Sequence, residues 1–258
     1  MATGVLPVML GGATRFSQYL PTHDKAYRAK ILLGTVTDTL DITGTVLEQN
    51  PVDVTADRLN EAINHFVGPI SQLPPMYSAV SKDGVRLYKL ARQGIEIERE
   101  ARNVIIHYIK LLDVPDGKNE FEIEVSCSAG TYIRSLAADI GSELGCGAAI
   151  TALRRIEANG VSIDRTVTLE TVRQFADEGR IEELITPCDE MLLCYPAVNV
   201  SEKQAIRFEN GGELDLKRIK GEKNDGFCRV YSPEKKFLGL GRISLADGTL
   251  YVEKKLVY

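Results

Sequence analysis

Apolar and polar residues alternate along residues 27–33: Tyr27, Ala29, Ile31 and Leu33 fall on one side, Arg28, Lys30 and Leu32 on the other. This period of two predicts a strand with one basic row of side chains, ended by Gly34. Residues 104–112 and 121–127 predict a strand pair, because Phe121, Ile123, Val125 and Cys127 share one face and Glu122, Glu124 and Ser126 the other. Residues 113–119 would connect them. The period lengthens to 3.6 at Leu59, Ala62, Ile63 and Phe66, a helix capped by Thr55 and stopped at Gly68-Pro69. It does so again at Ile133, Leu136, Ala137, Ile140 and Leu144, with Thr131 as N-cap and Gly145 at the end. Further helices are expected around residues 13–20 and 169–178. Residues 1–12, apolar and punctuated by glycine, read as the end of a buried strand or loop leading into the first of these.

Pro187 and then Tyr195-Pro196 mark a change of texture. Beyond them Ser201-Glu202-Lys203-Gln204 forms a capping box, and residues 227–231, 237–243 and 250–257 are strand-like, the last two joined at Ala246-Asp247-Gly248. Two domains are therefore expected, residues 1–194 and a small, mostly β module at 195–258. Short loops between strands, rather than crossover helices, predict a mixed α+β fold with a mainly antiparallel sheet.

With 258 residues, 44% of them hydrophobic and 26% charged, the chain can bury a substantial core. No apolar run is long enough to span a bilayer, so a membrane role has no support. Five cysteines without a C-x-x-C pair suit free thiols in a reducing cytoplasm, and three scattered histidines give no metal site. The net charge of -5 excludes a surface that attracts nucleic acid everywhere, so any such partner needs a local patch.

One such patch is offered by residues 82–92, with four cations against one acid: Lys82, Arg86, Lys89 and Arg92. On a helix, Arg86, Lys89 and Gln93 would share a face suited to a phosphate backbone; a solvated amphipathic helix is the commoner meaning of such a stripe. Leu153-Arg154-Arg155 adds two more cations. Arg134 stands in the first turn of the helix after Gly130-Thr131-Tyr132, where a cation opposes the helix dipole and calls for an anionic partner, unless it is simply solvated. Tyr132 at the same turn suits either packing or stacking. Asp38 and Asp41 sit in a Thr-rich loop whose default meaning is structural, although a carboxylate pair also suits metal binding or acid–base chemistry.

These segments together resemble the TruB-type tRNA pseudouridine-55 synthases. The resemblance rests on Ala2-Thr3-Gly4-Val5-Leu6-Pro7, on residues 13–20, on Lys25-Ala26-Tyr27-Arg28, Thr37-Asp38-Thr39-Leu40-Asp41, Met76-Tyr77-Ser78-Ala79, Gly130-Thr131-Tyr132-Ile133-Arg134 and Leu153-Arg154-Arg155, and so covers essentially the whole chain. It implies a cofactor-free, metal-free isomerisation of the T-loop uridine of tRNA by a cytoplasmic, monomeric enzyme. It also implies an RNA-gripping insertion at about residues 76–102 and a PUA-like C-terminal module at 195–258. By the same resemblance Tyr27 stacks on the target base and moves the C5 proton, Arg134 pairs with the nucleophilic aspartate, and Tyr132 and Leu153 line the uridine pocket. Lys82, Arg86, Lys89, Arg92 and Arg154 are the expected RNA contacts.

The family's nucleophile lies in a Leu-Asp-Pro-x-Ala-Thr-Gly motif, of which the chain holds only Met1-Ala2-Thr3-Gly4. The expectation is a sequence that starts at an internal methionine, lacks the aspartate, is inactive because Arg134 has no carboxylate partner, and is poorly soluble. Leu40-Asp41-Ile42-Thr43-Gly44 echoes the motif without its proline and is rejected as nucleophile. The alternatives are a catalytically dead tRNA-binding or RNA-folding protein and, behind it, a small-molecule enzyme built on Asp38 and Asp41.

Overall fold

The structure is a computed structural model and describes residues 2–113 and 119–257. Met1 and most of the loop between the paired strands, residues 114–118, lie outside the described residues. The chain divides into two compact units, the first made of Met1–Leu6 and His23–Thr166, the second of Pro7–Thr22 and Val167–Tyr258. Segments 7–22 and 167–194, placed in the larger domain on sequence grounds, thus group with the second unit.

In chain order the first unit contains β1 (Ala2–Gly4), β2 (Lys25–Leu33), β3 (Thr35–Thr37), β4 (Val46–Gln49), α1 (Ala56–His65), β5 (Gly68–Gln72), β6 (Ser81–Lys82), β7 (Val85–Arg86), α2 (Leu87–Ala91), β8 (Arg102–Asp113), β9 (Glu120–Cys127), α3 (Ile133–Glu143), β10 (Ala148–Ala158) and β11 (Val161–Ser162). Its main sheet runs β1-β10-β2-β9-β8-β5, with β11 paired to β10. The β1–β10 pair is parallel and the others in this sheet are antiparallel, so the fold is the expected mixed α+β with a mainly antiparallel sheet. Strand β1 is exposed rather than buried; the burial begins at Val5.

The alternation in β2 and β9 does what it predicts: Ala29, Ile31, Leu33, Phe121, Ile123, Val125 and Cys127 are all buried on one side. Onto that face packs α3, whose stripe of Ile133, Leu136, Ala137, Ile140 and Leu144 is buried in the same core. Gly145 ends the helix at φ 78°, and the amides of Cys146 and Gly147 then both return to the Gly141 carbonyl. Helix α1 begins as expected, with the Arg58 amide donating to Thr55 Oγ1. The first turn of α3 differs from expectation. Tyr132 is the N-cap, and the Thr131 hydroxyl donates back to the Ser128 carbonyl instead of capping.

Residues 82–92 also depart from the helical reading. Asp83 and Gly84 adopt φ of 50° and 79°, which folds β6 and β7 into a hairpin, and α2 follows for only five residues. Arg86 is therefore an N-cap and Gln93 lies past the helix end, so no helical face joins them to Lys89.

The second unit contains α4 (Leu169–Asp177), β12 (Ala197–Asn199), α5 (Glu202–Glu209), β13 (Leu214–Asp215), β14 (Gly226–Tyr231), β15 (Phe237–Ser244) and β16 (Thr249–Lys255). Its sheet runs β12-β14-β15-β16-β13 over a core that includes Phe208, Leu214, Cys228, Val230 and Leu250. Gln204 closes the box at the start of α5, accepting from both the amide and the hydroxyl of Ser201. The segment at Gly11–Tyr19 is a 3₁₀ helix rather than an α-helix, and its Phe16 and Tyr19 pack with Leu192, Phe237 and Leu240.

Candidate active site

The α3 side of the main sheet carries a run of polar groups where the apolar core stops. Strand β10 supplies its axis. Strand β10 pairs with β2 from Ala148 to Ala158, with register irregularities between Ile150 and Ala152 and between Arg155 and Glu157 that bracket residues 152–155. Such bulges re-aim side chains locally. Between them Leu153 pairs with Ala29 and Arg155 with Tyr27, so Leu153, Arg155 and Tyr27 share the α3 face. Arg154 pairs with the exposed Arg28 on the opposite face and is itself exposed.

At one end of this stretch the loop 38–45 joins β10. The Ile42 amide donates to the Ile150 carbonyl at 2.9 Å and the Ile150 amide to the Leu40 carbonyl at 3.2 Å, which fixes Asp41 beside the strand. Asp41 Oδ1 accepts from the Thr39 hydroxyl at 3.1 Å, the Thr43 amide at 3.0 Å and the Thr43 hydroxyl. Its other oxygen lies 3.6 Å from Arg134 Nη1. Burial alone would raise this carboxyl, but the threonine hydrogen bonds and the Arg134 charge outweigh it and hold Asp41 below the usual carboxylate range.

Arg134 therefore does have a carboxylate partner, contrary to expectation, and the partner comes from the loop set aside as structural. Its guanidinium also donates to the Thr39 carbonyl at 3.0 Å and the Tyr77 carbonyl at 2.7 Å. Those two bonds leave donors over for a substrate oxygen or a second carboxylate. The cation at the start of α3 is thus partnered, not solvated. Asp38, by contrast, accepts from its own loop, through the Thr45 amide at 2.8 Å. No cluster of metal-ligating side chains occurs among the described residues.

Tyr132 is held at its backbone by a residue the sequence reading passed over. Gln72, only 2% exposed, accepts from the Tyr132 amide at 2.7 Å and donates to the Tyr132 carbonyl at 3.1 Å. Nothing in a lone glutamine after Gly68-Pro69 signals this bond, because it joins residues sixty positions apart. At the other end of the stretch, burial raises the Tyr27 phenol above its ordinary value, Cys127 pushes it the same way, and Arg155 works against both. Tyr27 is a neutral phenol at neutral pH.

The structure brings Tyr27, Leu153, Arg134 and Tyr132 to the α3 side of one sheet, and adds Asp41, Gln72 and Arg155. It leaves Lys82, Arg86, Lys89 and Arg92 exposed on the hairpin and short helix, with the Arg92 guanidinium 5.4 Å from the centre of the Tyr88 ring and Lys82 Nζ 2.8 Å from the Glu98 carbonyl.

Residues 1–133 match the TruB family pseudouridylate synthase N-terminal domain, residues 134–193 the tRNA pseudouridylate synthase B C-terminal domain, and residues 196–254 the pseudouridine synthase II TruB C-terminal family. The chain is 41% identical over 253 residues to tRNA pseudouridine synthase B of Escherichia coli K12, which covers 94% of this chain and 79% of that protein. The same figures hold for tRNA pseudouridine synthase B of Shigella flexneri serotype 5b. Among solved structures, a chain of an H/ACA RNP bound to a substrate RNA containing 2'-deoxyuridine superposes with a TM-score of 0.69 at 22% identity, covering 100% of this chain and 73% of that one. A chain of a Cbf5-Nop10-Gar1 complex does so at 0.69 and 24%, covering 99% and 73%. At such identities these two show a common fold.

Proposed function

The chain belongs to the TruB family of pseudouridylate synthases and is a tRNA pseudouridine synthase; from that premise we propose that the polar stretch on the α3 side of its main sheet is where the T-loop uridine of tRNA is isomerised. In this reaction the N1–C1′ bond breaks, a C5–C1′ bond forms, C5 loses a proton and N1 gains one. The observation that carries the assignment is the convergence of Tyr27, Leu153 and the Arg134–Asp41 pair on one half-buried face.

The reacting atoms are inaccessible in a folded T loop, so the nucleotide must flip out before it reacts. Tyr27 is the residue on which the base would stack, with Tyr132 and Leu153 shaping the rest of the pocket. The neutral phenol suits stacking at rest, and once it has lost its own proton the phenolate can take the one at C5. Arg134, oriented by Asp41 and two carbonyls, has N–H groups left to hold the family's nucleophilic carboxylate and the charge that develops on the base. Residues 1–258 contain Ala2-Thr3-Gly4 of the nucleophile motif and no Leu-Asp-Pro before it. In this reading they bind tRNA without forming product unless that segment precedes them, and Asp41, already bonded by three donors, does not replace the nucleophile.

Lys82, Arg86, Lys89 and Arg92 grip the phosphates of the T arm, and Arg154 offers a cation on the outer face. Residues 76–102 form the gripping insertion and 195–258 a PUA-like module; within residues 1–194 the catalytic part is the first compact unit, residues 1–6 and 23–166, and the enzyme works as a cytoplasmic monomer. No described helix is long and apolar enough to cross a membrane. The test uses tRNA labelled with tritium at uridine C5 and compares residues 1–258 with the same chain preceded by Leu-Asp-Pro and its upstream family segment. Tritium release confined to the T-loop uridine, and only from the extended chain, is expected. Release from residues 1–258 alone would overturn the exclusion of Asp41, and release from another uridine would overturn the substrate assignment.

A further inference from the structure

Arg155 has no role in the scheme above, yet it is held more tightly than a surface cation needs to be. Its backbone pairs with Gly4 across β1–β10, its carbonyl accepts the Val5 amide at 2.9 Å, and its Nε donates to the Val5 carbonyl at 2.6 Å. Gly4 makes room for this contact: a Cβ there would meet the Arg155 carbonyl oxygen at 2.0 Å, and its φ of 107° suits glycine. With Nε so engaged, the remaining guanidinium donors are free for the other strand, where Tyr27 stands directly opposite in register. Side chains so paired lie with their Cβ atoms roughly 4.5–5.5 Å apart. Alternation from Leu153, two positions earlier in regular register, puts Arg155 on the α3 face, and the register shifts only after it.

We propose that Arg155 is a positioning residue for the reaction, a clamp that ties the Tyr27 phenol to β1 and makes its phenolate accessible when the C5 proton is to be taken. The proposal rests on the function assigned above. The chemistry explains why such a group is needed. A neutral phenol cannot accept a proton from C5, so Tyr27 must first release its own to solvent, then take the C5 proton and return to the phenol, while solvent protonates N1. Burial makes that phenolate costly, and an adjacent cation offsets the cost. Diagonal to Tyr27 on β9, opposite Lys25, is Cys127, whose thiol burial pushes up to about 11, so it carries no charge near neutral pH and does not compete with Arg155 there. A guanidinium stays charged throughout the range.

The experiment follows tyrosinate absorbance against pH in the 258-residue chain, with Tyr27→Phe subtracted to isolate one of ten tyrosines. Arg155→Met is expected to make Tyr27 at least about tenfold weaker as an acid, a rise of roughly one pH unit in its midpoint. Arg155→Gln keeps a donor for the Val5 carbonyl without the charge and must show the same rise, which covers the case in which the methionine variant does not fold. Arg155→Lys must stay close to the parent. An unchanged midpoint in a folded neutral variant overturns the proposal. This readout needs neither RNA nor turnover, so it can fail while the synthase assignment stands. In the extended, active chain the same neutral variants must lower kcat more than they change KM, and must move upward the limb of the pH profile on which the rate rises as the phenolate forms.

Discussion

Around Arg134 and Tyr132, side chains are largely buried and the polar groups hold one another: Asp41 has three donors besides Arg134, and Gln72 bonds both the amide and the carbonyl of Tyr132. Along residues 82–92 the cations stand in solvent, on a two-residue hairpin and a five-residue helix, touching mostly carbonyls and an aromatic ring. The first region sits on strands and a helix that belong to the main core; in the second, Leu87 is the buried anchor. On the proposed function the contrast separates two tasks. Chemistry requires groups fixed in advance, because misplacement is costly in the transition state. Phosphate attraction requires charge near the surface, and its geometry is forgiving.

The largest effect that would break this contrast is at Arg134. Replacing it by alanine strips a partner from Asp41 and from two carbonyls, and leaving such groups unsatisfied costs about 1–3 kcal/mol of stability. Activity of the extended chain should fall about a thousandfold or more, measured by single-turnover pseudouridine formation with saturating tRNA. Near-normal turnover would show that the pocket lies elsewhere. Next comes Gln72→Leu, which keeps the volume but removes both bonds to Tyr132. A melting loss of about 1–3 kcal/mol and a drop in kcat with little change in tRNA affinity are expected; an effect on affinity alone would place Gln72 with the insertion.

Smaller effects belong to the insertion. Lys89→Gln and Arg92→Gln should each leave stability within about 0.5 kcal/mol. Each should weaken tRNA binding and reduce the slope of log affinity against log salt by about 0.7–0.9 if it meets a phosphate. Binding titrations at several salt concentrations check this. If these variants instead lower the melting point as Gln72→Leu does, the two regions are not distinct in kind.

The same contrast governs what could be read without coordinates. The α3 stripe and the β9 alternation were legible because one local period fixes both element and face, and so the core and the placing of Tyr27 and Arg134 followed. Asp41 is legible as a residue of a Thr-rich loop but its partner is not, because its pairing with Arg134 depends on a bridge to Ile150 that has no local signature. Gln72 and Arg155 were missed for the same reason, their partners being distant in sequence. In residues 82–92 the spacing of Arg86, Lys89 and Gln93 suits one helical face, although Asp83-Gly84 between short strand-forming pairs is a hairpin signal, and the positive φ of both residues decides the outcome.

The smallest effect is also the most specific. Asp41 is held below its unfolded value, so its ionised form favours the folded state; that contribution is complete above the ordinary carboxylate range and is lost as pH falls through the lowered value. The melting difference between the parent and Asp41→Asn should therefore be constant from neutral pH down to mildly acid conditions and shrink only in strong acid. The exposed Glu96, which meets Arg99 at 3.1 Å within the insertion, offers the comparison. With its carboxylate in solvent the pair contributes little at any pH, and Glu96→Gln should leave the melting curve nearly unmoved. A difference at Asp41 that is already fading near neutral pH would mean that its carboxylate is not gripped by Arg134 and the threonines. The pocket would then be as loosely built as the insertion.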